Sequence, residues 1–252
     1  MLPAERKRTI VELVTERDGC SVAALAEELD FSKATIRRDL RDLAEAGRIE
    51  RSHGGAVPAS SVGNEQSYDQ REVEHFDAKR AIAERASEEI RDGEVVFFDA
   101  GTTTIEVARA AEGGYAAVTN MPTLATELAD REVDVKLTGG TLRARTRALV
   151  GPTAETFLDR TNFDRLFLGT NGLDAEAGLS TPNEEEAAIK RAMVEAASRV
   201  VLVADASKFD ERSFVTFADL SDVDVLVTDG DPSDGLAEAL AAADVVVERV
   251  DP

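Results

Sequence analysis

Residues 32–43 read SKATIRRDLRDL, and their spacing predicts an amphipathic helix. Ile36, Leu40 and Leu43 recur at helical intervals and form one apolar face. Ser32 occupies the N-cap position of this helix, where its hydroxyl can accept a hydrogen bond from the first turn. The polar face contains Lys33, Thr35, Arg37, Arg38 and Arg41. One helix is therefore expected to present a row of positive charges to its surroundings.

A second, shorter helix is predicted just upstream, over residues 21–29, and Asp30-Phe31 forms the turn between the two helices. Two short helices, a tight turn and a cationic second helix are typical of a helix-turn-helix that binds DNA. The alternative is an ordinary solvated helix in which Arg38 pairs with Asp42 four residues later. The pattern favours DNA binding and leaves the alternative open.

Two further elements complete this part of the chain. Residues 48–57 alternate between polar and apolar side chains and turn at Gly54-Gly55, as a two-stranded wing does. Residues 3–16 predict a first helix. Its expected core face contains Ile10, Leu13 and Val14, and its expected solvent face contains Arg6, Lys7 and Arg8.

The charge of the chain is unusual for a DNA-binding protein, with a formal net charge of -21 and a pI near 4.5 over 252 residues. The first 55 residues contain ten Lys/Arg against eleven Asp/Glu, whereas the remainder contains 19 against 39. Only six basic residues are Lys, and Trp is absent. This composition resembles proteins of halophiles that keep molar potassium in the cell, where a Debye length of about 3 Å screens repulsion from DNA. An acidic mesophilic protein is the alternative.

Several classes of protein are disfavoured by composition. Cys20 is the single cysteine, so neither a disulfide nor a cysteine-based zinc site can form within one chain. His53 and His75 are the two histidines, which leaves little for metal binding or histidine catalysis. No apolar run reaches the length of a membrane span, and the N-terminus lacks a signal-peptide core. We expect a cytoplasmic protein with no metal, no cofactor and no contact with a membrane.

The pattern changes after a small polar stretch at residues 58–65. Beyond it, short apolar runs alternate with helical patterns; the runs are residues 95–98, 116–118, 133–138, 166–168, 200–204, 225–228 and 245–247. Runs that are apolar on both faces and separated by helices are typical of a parallel sheet covered by helices. We therefore predict three segments: a winged helix-turn-helix over residues 1–58, a linker over 59–74, and an α/β domain with a parallel-rich sheet and flanking helices over 75–252. The first helix of that domain is predicted at residues 76–90.

Glycine, threonine and asparagine follow several of the predicted strands. Residues 99–104, DAGTTT, open a helix, and free amides and hydroxyls at a helix start suit a phosphate group. Other strand ends carry Asn120, Gly139-Gly140, residues 169–172 and Lys208. Any one of these loops has an ordinary turn explanation. Because ligands in parallel sheets bind at the carboxyl ends of the strands, five such loops in succession predict a ligand site.

Residues 35–40, TIRRDL, followed by residues 51–56, RSHGGA, closely resemble the DeoR family of bacterial and archaeal transcription regulators. The strand-end loops resemble, in order and spacing, the sensor domain of that family. That domain shares its fold with ribose-5-phosphate isomerase, glucosamine-6-phosphate deaminase and CoA transferases. The resemblance implies a repressor of fructose, glucose or glycerol catabolic genes that a phosphorylated sugar releases. A homodimer or homotetramer on an inverted-repeat operator is expected, because helix-turn-helix proteins read paired half-sites.

The pattern and the resemblance together name the expected site residues. Those expected at DNA are Ser21, Ser32, Lys33, Thr35, Arg37, Arg38, Arg41, Arg51, His53 and Gly54. Those expected at the effector are Asp99, Gly101, Thr102, Thr103, Thr104, Asn120, Gly139, Gly140, Lys190 and Lys208. The resemblance places the phosphate near residues 101–104 and the sugar near Asn120, Gly139 and the two lysines.

Two local alternatives stay open. Lys190 follows Glu186 by four residues, so an exposed helical ion pair competes with a role in ligand binding. A solvated loop is favoured for Arg143, Arg145 and Arg147, and contact with a phosphate or a partner is the competing interpretation.

The alternative function is a sugar-phosphate isomerase or deaminase. Isomerases of the resembling fold have an Asp-Gly-Ala-Asp loop where this chain has GTNG at residues 169–172, so carboxylates are missing where a base is needed. A shared fold carries no function without its site, and we expect no enzyme. A nonspecific nucleoid protein fits worst, because its affinity would depend on many phosphate contacts by an acidic chain.

Overall fold

The computed structural model divides the chain into an N-terminal unit, Met1–Ser61, and a C-terminal unit, Val62–Pro252. The structure describes residues 3–17, 19–45, 48–52, 54–58 and 65–252. Each unit has a hydrophobic core of its own. No helix in the described ranges is long and apolar enough to cross a membrane.

The N-terminal unit contains the predicted helices and wing. Its described elements are α1 (Pro3–Glu16), β1 (Cys20–Ser21), α2 (Val22–Glu28), α3 (Lys33–Glu45), β2 (Ile49–Ser52) and β3 (Gly55–Pro58). The helices and the antiparallel pairing of β2 with β3 confirm the winged helix-turn-helix. β1 was not predicted and pairs antiparallel with β3, giving the order β1-β3-β2. A two-residue strand has no periodicity that a sequence pattern could reveal.

The apolar face predicted for α3 lies at the centre of this unit. Ile36, Leu40 and Leu43 are buried, together with Ile10 of α1. The close approach of β1 and β3 explains a glycine of the wing. A Cβ atom at Gly55 would lie 2.2 Å from the backbone oxygen of Cys20, so no other residue fits there without moving a strand.

The helical pattern predicts that Arg6 faces solvent, and this prediction is wrong. Its side chain is buried, and its Nε donates to Asp39 Oδ2 at 2.5 Å while Nη2 donates to Oδ1 at 3.3 Å. The guanidinium carbon also lies 4.4 Å from the centre of the Phe31 ring. The partner is 33 residues away in sequence, so local periodicity could not show that this pair links α1 to α3.

The C-terminal unit alternates strands and helices. Its helices are α4 (Tyr68–Val73), α5 (Phe76–Ser87), α6 (Thr102–Ala110), α7 (Pro122–Asp130), α8 (Pro152–Leu158), α9 (Glu184–Ala196) and α10 (Asp234–Ala242). Its strands are β4 (Val95–Phe98), β5 (Ala116–Thr119), β6 (Val135–Leu137), β7 (Thr141–Leu142), β8 (Leu149–Val150), β9 (Arg165–Leu168), β10 (Gly172–Asp174), β11 (Gly178–Thr181), β12 (Val200–Val203), β13 (Val215–Ala218), β14 (Val225–Thr228) and β15 (Val246–Arg249). Short 3₁₀ turns lie at Ala206–Lys208 and Leu220–Asp222.

Seven of these strands form one sheet in the order β15-β14-β12-β9-β4-β5-β6. Every neighbouring pair is parallel, which confirms the predicted parallel α/β fold. β9, β12 and β14 are buried along their whole length, as expected for strands covered by helices on both faces. From β4 the chain adds strands on one side, and from β9 it adds strands on the other. The switch point of the topology, where such sheets bind ligands, therefore lies between β4 and β9.

Two small antiparallel sheets were not predicted. One has the order β10-β11-β13, and the other pairs β7 with β8. Their strands are two to four residues long. The helix expected over residues 76–90 ends earlier, at Ser87. From Glu65 onward the segment assigned to the linker lies in the C-terminal unit and includes α4, which Ser67 and Gln70 start with a capping box.

Replacing Arg6 with Met should expose the cost of leaving Asp39 buried without a partner. We expect the free energy of opening of α1 and α3 to fall by about 3–5 kcal/mol, because breaking a buried ion pair strands one charge. Amide hydrogen exchange of α1 and α3 in molar KCl measures this free energy of opening. Lys7→Met is the matched control: its partner Asp42 is 44% exposed, so we expect little change in the free energy of opening. Equal, small effects of both substitutions would contradict the structural role of Arg6.

Candidate functional site

The outer face of α3 carries unpaired cations. Lys33, Arg37, Arg38 and Arg41 are exposed, and none of their side chains has a hydrogen-bond or ion-pair partner among the described residues. The competing interpretation, a pair of Arg38 with Asp42, is wrong: no hydrogen bond or ion pair joins these two described side chains, and Asp42 accepts from Lys7 Nζ at 2.6 Å instead. Four positive side chains are thus available to a negatively charged partner, as a recognition helix requires.

Both serines expected at DNA have structural roles at helix starts. Ser32 Oγ accepts a hydrogen bond from the Thr35 amide at 3.2 Å, which confirms the predicted N-cap of α3. Ser21 Oγ accepts from the Ala24 amide at 3.1 Å and caps α2 in the same way. The Thr35 hydroxyl lies 3.0 Å from Ser32 Oγ. These bonds fix where the helices begin and hence where the cations of α3 lie.

The wing adds one more exposed cation beside α3. The Arg51 side chain is exposed, and its Nη1 donates to the backbone oxygen of Arg37 at 3.4 Å. Gly54 has a φ of +86°, a left-handed conformation that favours glycine in this turn. His53 lies outside the described residues.

A cavity in the C-terminal unit lies at the carboxyl ends of three adjacent strands, β12, β9 and β4. It encloses about 610 Å³ of empty space, including its open mouth. Its polar and charged lining consists of Arg71, Glu74, His75, Lys79, Asp99, Thr102, Thr103, Thr104, Thr170, Asn171, Glu186, Lys190, Asp205 and Lys208. Three of the six lysines of the chain are among these residues.

A buried ion pair forms the centre of the cavity wall. Asp99, which follows β4, accepts hydrogen bonds from Lys190 Nζ and, at 3.1 Å, from the backbone amide of Gly169, which follows β9. Lys190 Nζ also donates to the Gly169 oxygen at 2.9 Å. The exposed pair of Lys190 with Glu186 is therefore excluded, and Glu186 accepts from Arg143 and Thr146 instead.

The start of α6 forms the adjacent part of the wall. Gly101 is the N-cap residue, and no side chain caps the first turn, so its amides are without a side-chain acceptor. The Thr104 hydroxyl is turned away to the backbone oxygens of Asp99 and Gly101, at 2.6 and 2.9 Å. Of the three predicted hydroxyls, those of Thr102 and Thr103 remain for a ligand.

The end of β12 supplies a second charged group. Asp205 is buried and caps the turn Ala206–Lys208, accepting from the hydroxyl and the amide of Ser207. Burial raises the pKa of Asp205, but the charge of Lys208 and the Ser207 hydrogen bonds outweigh it and hold the pKa below its usual range. Asp205 therefore stays ionised and orients the turn that carries Lys208 toward the cavity.

Lys79 and Arg71 line the same cavity, although neither was predicted as a site residue from the sequence. Lys79 Nζ is buried and donates to the backbone oxygens of Arg71 and, at 2.6 Å, of Glu74. Burial lowers its pKa to about 8. Arg71 Nε and Nη2 are buried and have no hydrogen-bond partner in the part of the chain that the structure describes. Lysine is rare in this chain, which drew attention to Lys190 and Lys208 as candidate ligand contacts. The same argument applied to Lys79. Arg71 lay in the predicted linker, where no ligand contact was expected.

Three predicted effector residues lie outside the cavity lining. Asn120 is buried after β5, and Gly139 and Gly140 follow β6. A Cβ atom at Gly140 would lie 2.4 Å from the Val150 backbone oxygen. Close packing of the backbone therefore explains why this residue is glycine. The structure thus brings together the loops after β4, β9 and β12 and leaves those after β5 and β6 aside.

The basic run at Arg143, Arg145 and Arg147 is not a solvated loop. Arg143 is largely buried and pairs with both Glu65 and Glu186. Arg145 donates to the Glu65 backbone oxygen. Arg147 pairs with Asp69 and stacks over the Tyr68 ring, 4.2 Å from its centre. All three side chains hold the segment that precedes α5.

A winged helix-turn-helix with a cationic outer face, joined in one chain to an α/β unit, defines a DNA-binding protein of the transcription-regulator class. Residues 6–62 match the family model of the DeoR-like helix-turn-helix domain, and residues 74–230 match that of the DeoR C terminal sensor domain. The chain is 61% identical over 249 residues to the HTH-type transcriptional regulator GlpR of Haloferax volcanii, covering 98% of each chain. It is 34% identical over 251 residues to the glycerol-3-phosphate regulon repressor of Escherichia coli K12, covering 98% of this chain and 99% of that one.

The protein belongs to the DeoR family and is a DNA-binding transcriptional regulator, as its relatives are, rather than an enzyme. The similarity to a Haloferax protein fits the halophilic interpretation of its composition. Among solved structures, ribose 5-phosphate isomerase A from Methanocaldococcus jannaschii aligns with a TM-score of 0.40 and 16% identity, over 53% of this chain and 54% of that chain.

Lys190→Met should destabilise the C-terminal unit by about 3–5 kcal/mol, because Asp99 would remain buried without its counter-charge. Calorimetric unfolding in molar KCl measures the change. The double substitution Asp99→Asn with Lys190→Met removes both charges, so it should recover most of the loss. Lys136→Met, at an exposed position of β6, is the control and should change stability little. A double variant no more stable than the single one would show that the two charges do not act as a pair.

Proposed function

We propose that this regulator represses carbohydrate catabolic genes and that a phosphorylated sugar, bound in the cavity of its C-terminal unit, releases it from DNA. The observation that carries the proposal is a set of N–H donors at the cavity without an acceptor among the described residues: the amides at the start of α6, which no side chain caps, and Nε and Nη2 of Arg71. Four cations and four carboxylates line the cavity, in a chain whose residues beyond 55 include 39 acidic against 19 basic side chains. A phosphate group with a charge near -2 would find there both positive side chains and the uncapped amides of α6.

Each part of the cavity has a role in this proposal. The uncapped start of α6 and the guanidinium of Arg71 suit the phosphate, because both offer N–H donors that lack acceptors. Lys208 and Asn171, on the loops after β12 and β9, suit the hydroxyls of a sugar. Lys190 acts indirectly in this scheme, since its ammonium is engaged by Asp99. One relative is named the glycerol-3-phosphate regulon repressor, which supports a small phosphorylated metabolite as the ligand.

The DNA-binding side of the proposal rests on α3. Arg37, Arg38 and Arg41 would enter the major groove, where arginine to guanine is the commonest specific contact. Arg51 of the wing would contact the phosphate backbone. We infer that a homodimer or homotetramer binds an inverted repeat in the cytoplasm, because a single helix-turn-helix reads one half-site.

The test is fluorescence anisotropy with the DNA upstream of the protein's own gene, in molar KCl, with glycerol 3-phosphate, fructose 1-phosphate and glucose 6-phosphate added separately. We expect specific binding that one of these compounds weakens at least about tenfold, a coupling of roughly 1.4 kcal/mol. Glycerol, fructose, glucose and inorganic phosphate are the ligand controls. Arg37→Ala should weaken operator binding by about 1–3 kcal/mol. Arg80→Ala, which removes an exposed cation paired with Glu84 on α5, should not.

Two results would contradict the proposal. One is the absence of specific DNA binding at every salt concentration and with every compound. The other is specific binding to DNA whose affinity none of the three phosphorylated compounds changes.

The affinity for the sugar phosphate should fall as pH rises through 8. Burial lowers the pKa of Lys79 to about 8, so its ammonium loses its proton within this range, whereas a phosphate ester is already a dianion. A bound anion favours the protonated lysine, and linkage therefore weakens binding up to about tenfold per pH unit above 8. Isothermal titration between pH 7 and 9 measures the slope. Lys79→Arg, which cannot deprotonate here, should bind with little dependence on pH.

A further inference from the structure

We propose that Arg71 binds the anionic group of the ligand and thereby reports occupancy of the cavity to residues 65–75, here termed the connector. In the sequence, the connector follows the N-terminal unit and precedes α5. The inference rests on the proposed function, because it assumes an anionic ligand in the cavity. It adds a residue for ligand contact and a physical link from that contact toward the DNA-binding part of the chain.

The state of the Arg71 side chain points to an anion. Its Nε and Nη2 are buried at the cavity wall and donate to no acceptor within residues 65–252 or the other described ranges. Unsatisfied buried donors are costly, and those of a charged group are the most costly. Glu74 and Glu186 line the same cavity, yet Glu74 accepts from Gln66 and Glu186 from Arg143 and Thr146. A guanidinium with two free N–H groups in one plane is suited to two oxygens of a phosphate or carboxylate.

The start of the connector is held against the rest of the C-terminal unit by Arg143, which also contacts a residue of the cavity wall. Arg143 Nη1 and Nη2 donate to both oxygens of Glu65 at 2.6 and 2.9 Å, and Nη1 donates to Glu186 as well. One guanidinium is therefore shared between the first described residue after the N-terminal unit and a carboxylate of the cavity lining. A shift of Glu186 on ligand binding would change the bond to Glu65.

The middle and end of the connector are held in the same way. Tyr68 is buried under Arg147, and its amide donates to the Arg145 oxygen at 2.8 Å. At the carboxyl end of α4, Lys79 Nζ donates to the backbone oxygens of Arg71 and Glu74. Because Lys79 lines the cavity, a ligand anion that attracts its ammonium acts on these carbonyl bonds. Through Arg71, Lys79 and Glu186, a bound ligand can therefore alter the contacts of the connector at three places.

This arrangement gives two states of the connector different affinities for the ligand. The described residues offer Nε and Nη2 of Arg71 no acceptor, whereas an anion in the cavity would supply one and draw α4 toward it. A ligand shifts an equilibrium only through such differential contacts. Ligand and operator are then coupled through the connector, and each must alter the affinity for the other by the same factor.

Arg71→Gln and Lys208→Gln form a matched pair that tests the proposal, since both residues line the cavity and only Arg71 lies on the connector. Titration calorimetry gives the affinity for fructose 1-phosphate and for glycerol 3-phosphate. Anisotropy with the upstream DNA gives the ratio of operator Kd at saturating sugar phosphate to that without it. Saturation removes the effect of weaker ligand affinity, so the ratio reports coupling alone.

We expect both variants to bind the sugar phosphate tenfold or more weakly. The coupling ratio should fall toward one in Arg71→Gln and keep its wild-type value in Lys208→Gln. Arg71→Lys, which keeps the charge and loses the planar fork, should recover part of the ligand affinity. Unchanged melting temperature and unchanged operator Kd without ligand show that Arg71→Gln is folded.

Other outcomes overturn one proposal or the other. If Arg71→Gln keeps the wild-type ratio at saturation, or binds the sugar phosphate as tightly as the wild type, the inference about Arg71 is wrong and the proposed effector site stands. If neither sugar phosphate binds the wild-type protein, it is the proposed function that fails. If Arg71→Gln unfolds, the coupling ratio of operator Kd is measured in Arg71→Lys instead. A wild-type ratio in Arg71→Lys, which lacks the planar fork, then contradicts the inference about Arg71.

Discussion

The buried ion pair of Asp99 with Lys190 is the interaction on which the cavity depends. It joins the end of β4, the end of β9 and the middle of α9 at the switch point of the sheet. Taking two charges out of water is costly, and the Gly169 amide and carbonyl compensate by completing the hydrogen bonds of both groups. Because this pair neutralises Lys190, the positive charge open to a ligand comes from the residues around it, above all Arg71 and Lys208.

The acidity of the chain makes its unpaired cations informative. Most arginines of the C-terminal unit are engaged: Arg109 with Glu106 and Glu127, for example, and the fully buried Arg165 with Glu89 and Glu94. Exposed cations without a partner also occur elsewhere in the described ranges, for example Arg160 and Lys136, at positions open to solvent. Two cases differ from these: α3 gathers four unpaired cations on one helix, and Nε and Nη2 of Arg71 are buried without an acceptor among the described residues. With 50 acidic residues in the chain, these two cases are best explained by an external partner.

Part of the candidate site could be predicted, and the strand order explains which part. Residues 99–104, Lys190 and Lys208 were expected at a ligand, and they line the cavity because β4, β9 and β12 are neighbours. Asn120 and Gly139 follow β5 and β6, which lie on the other side of β4. The sequence predicts that these strands are parallel and covered by helices, but not on which side of β4 each one is added. Loops that look equivalent along the chain therefore diverge in space.

The sequence by itself determined the features that arise from neighbouring residues. The apolar stripe of α3, its serine cap and the buried runs of the sheet all follow from side chains within one or two turns or strands of each other. Tertiary structure alone decided the pairs that join distant segments: Arg6 with Asp39, Asp99 with Lys190, and Arg143 with Glu65, which are 33, 91 and 78 residues apart. Periodicity reports which face of an element is buried. It cannot report what a charged side chain meets there, because that depends on chain segments that only folding brings together.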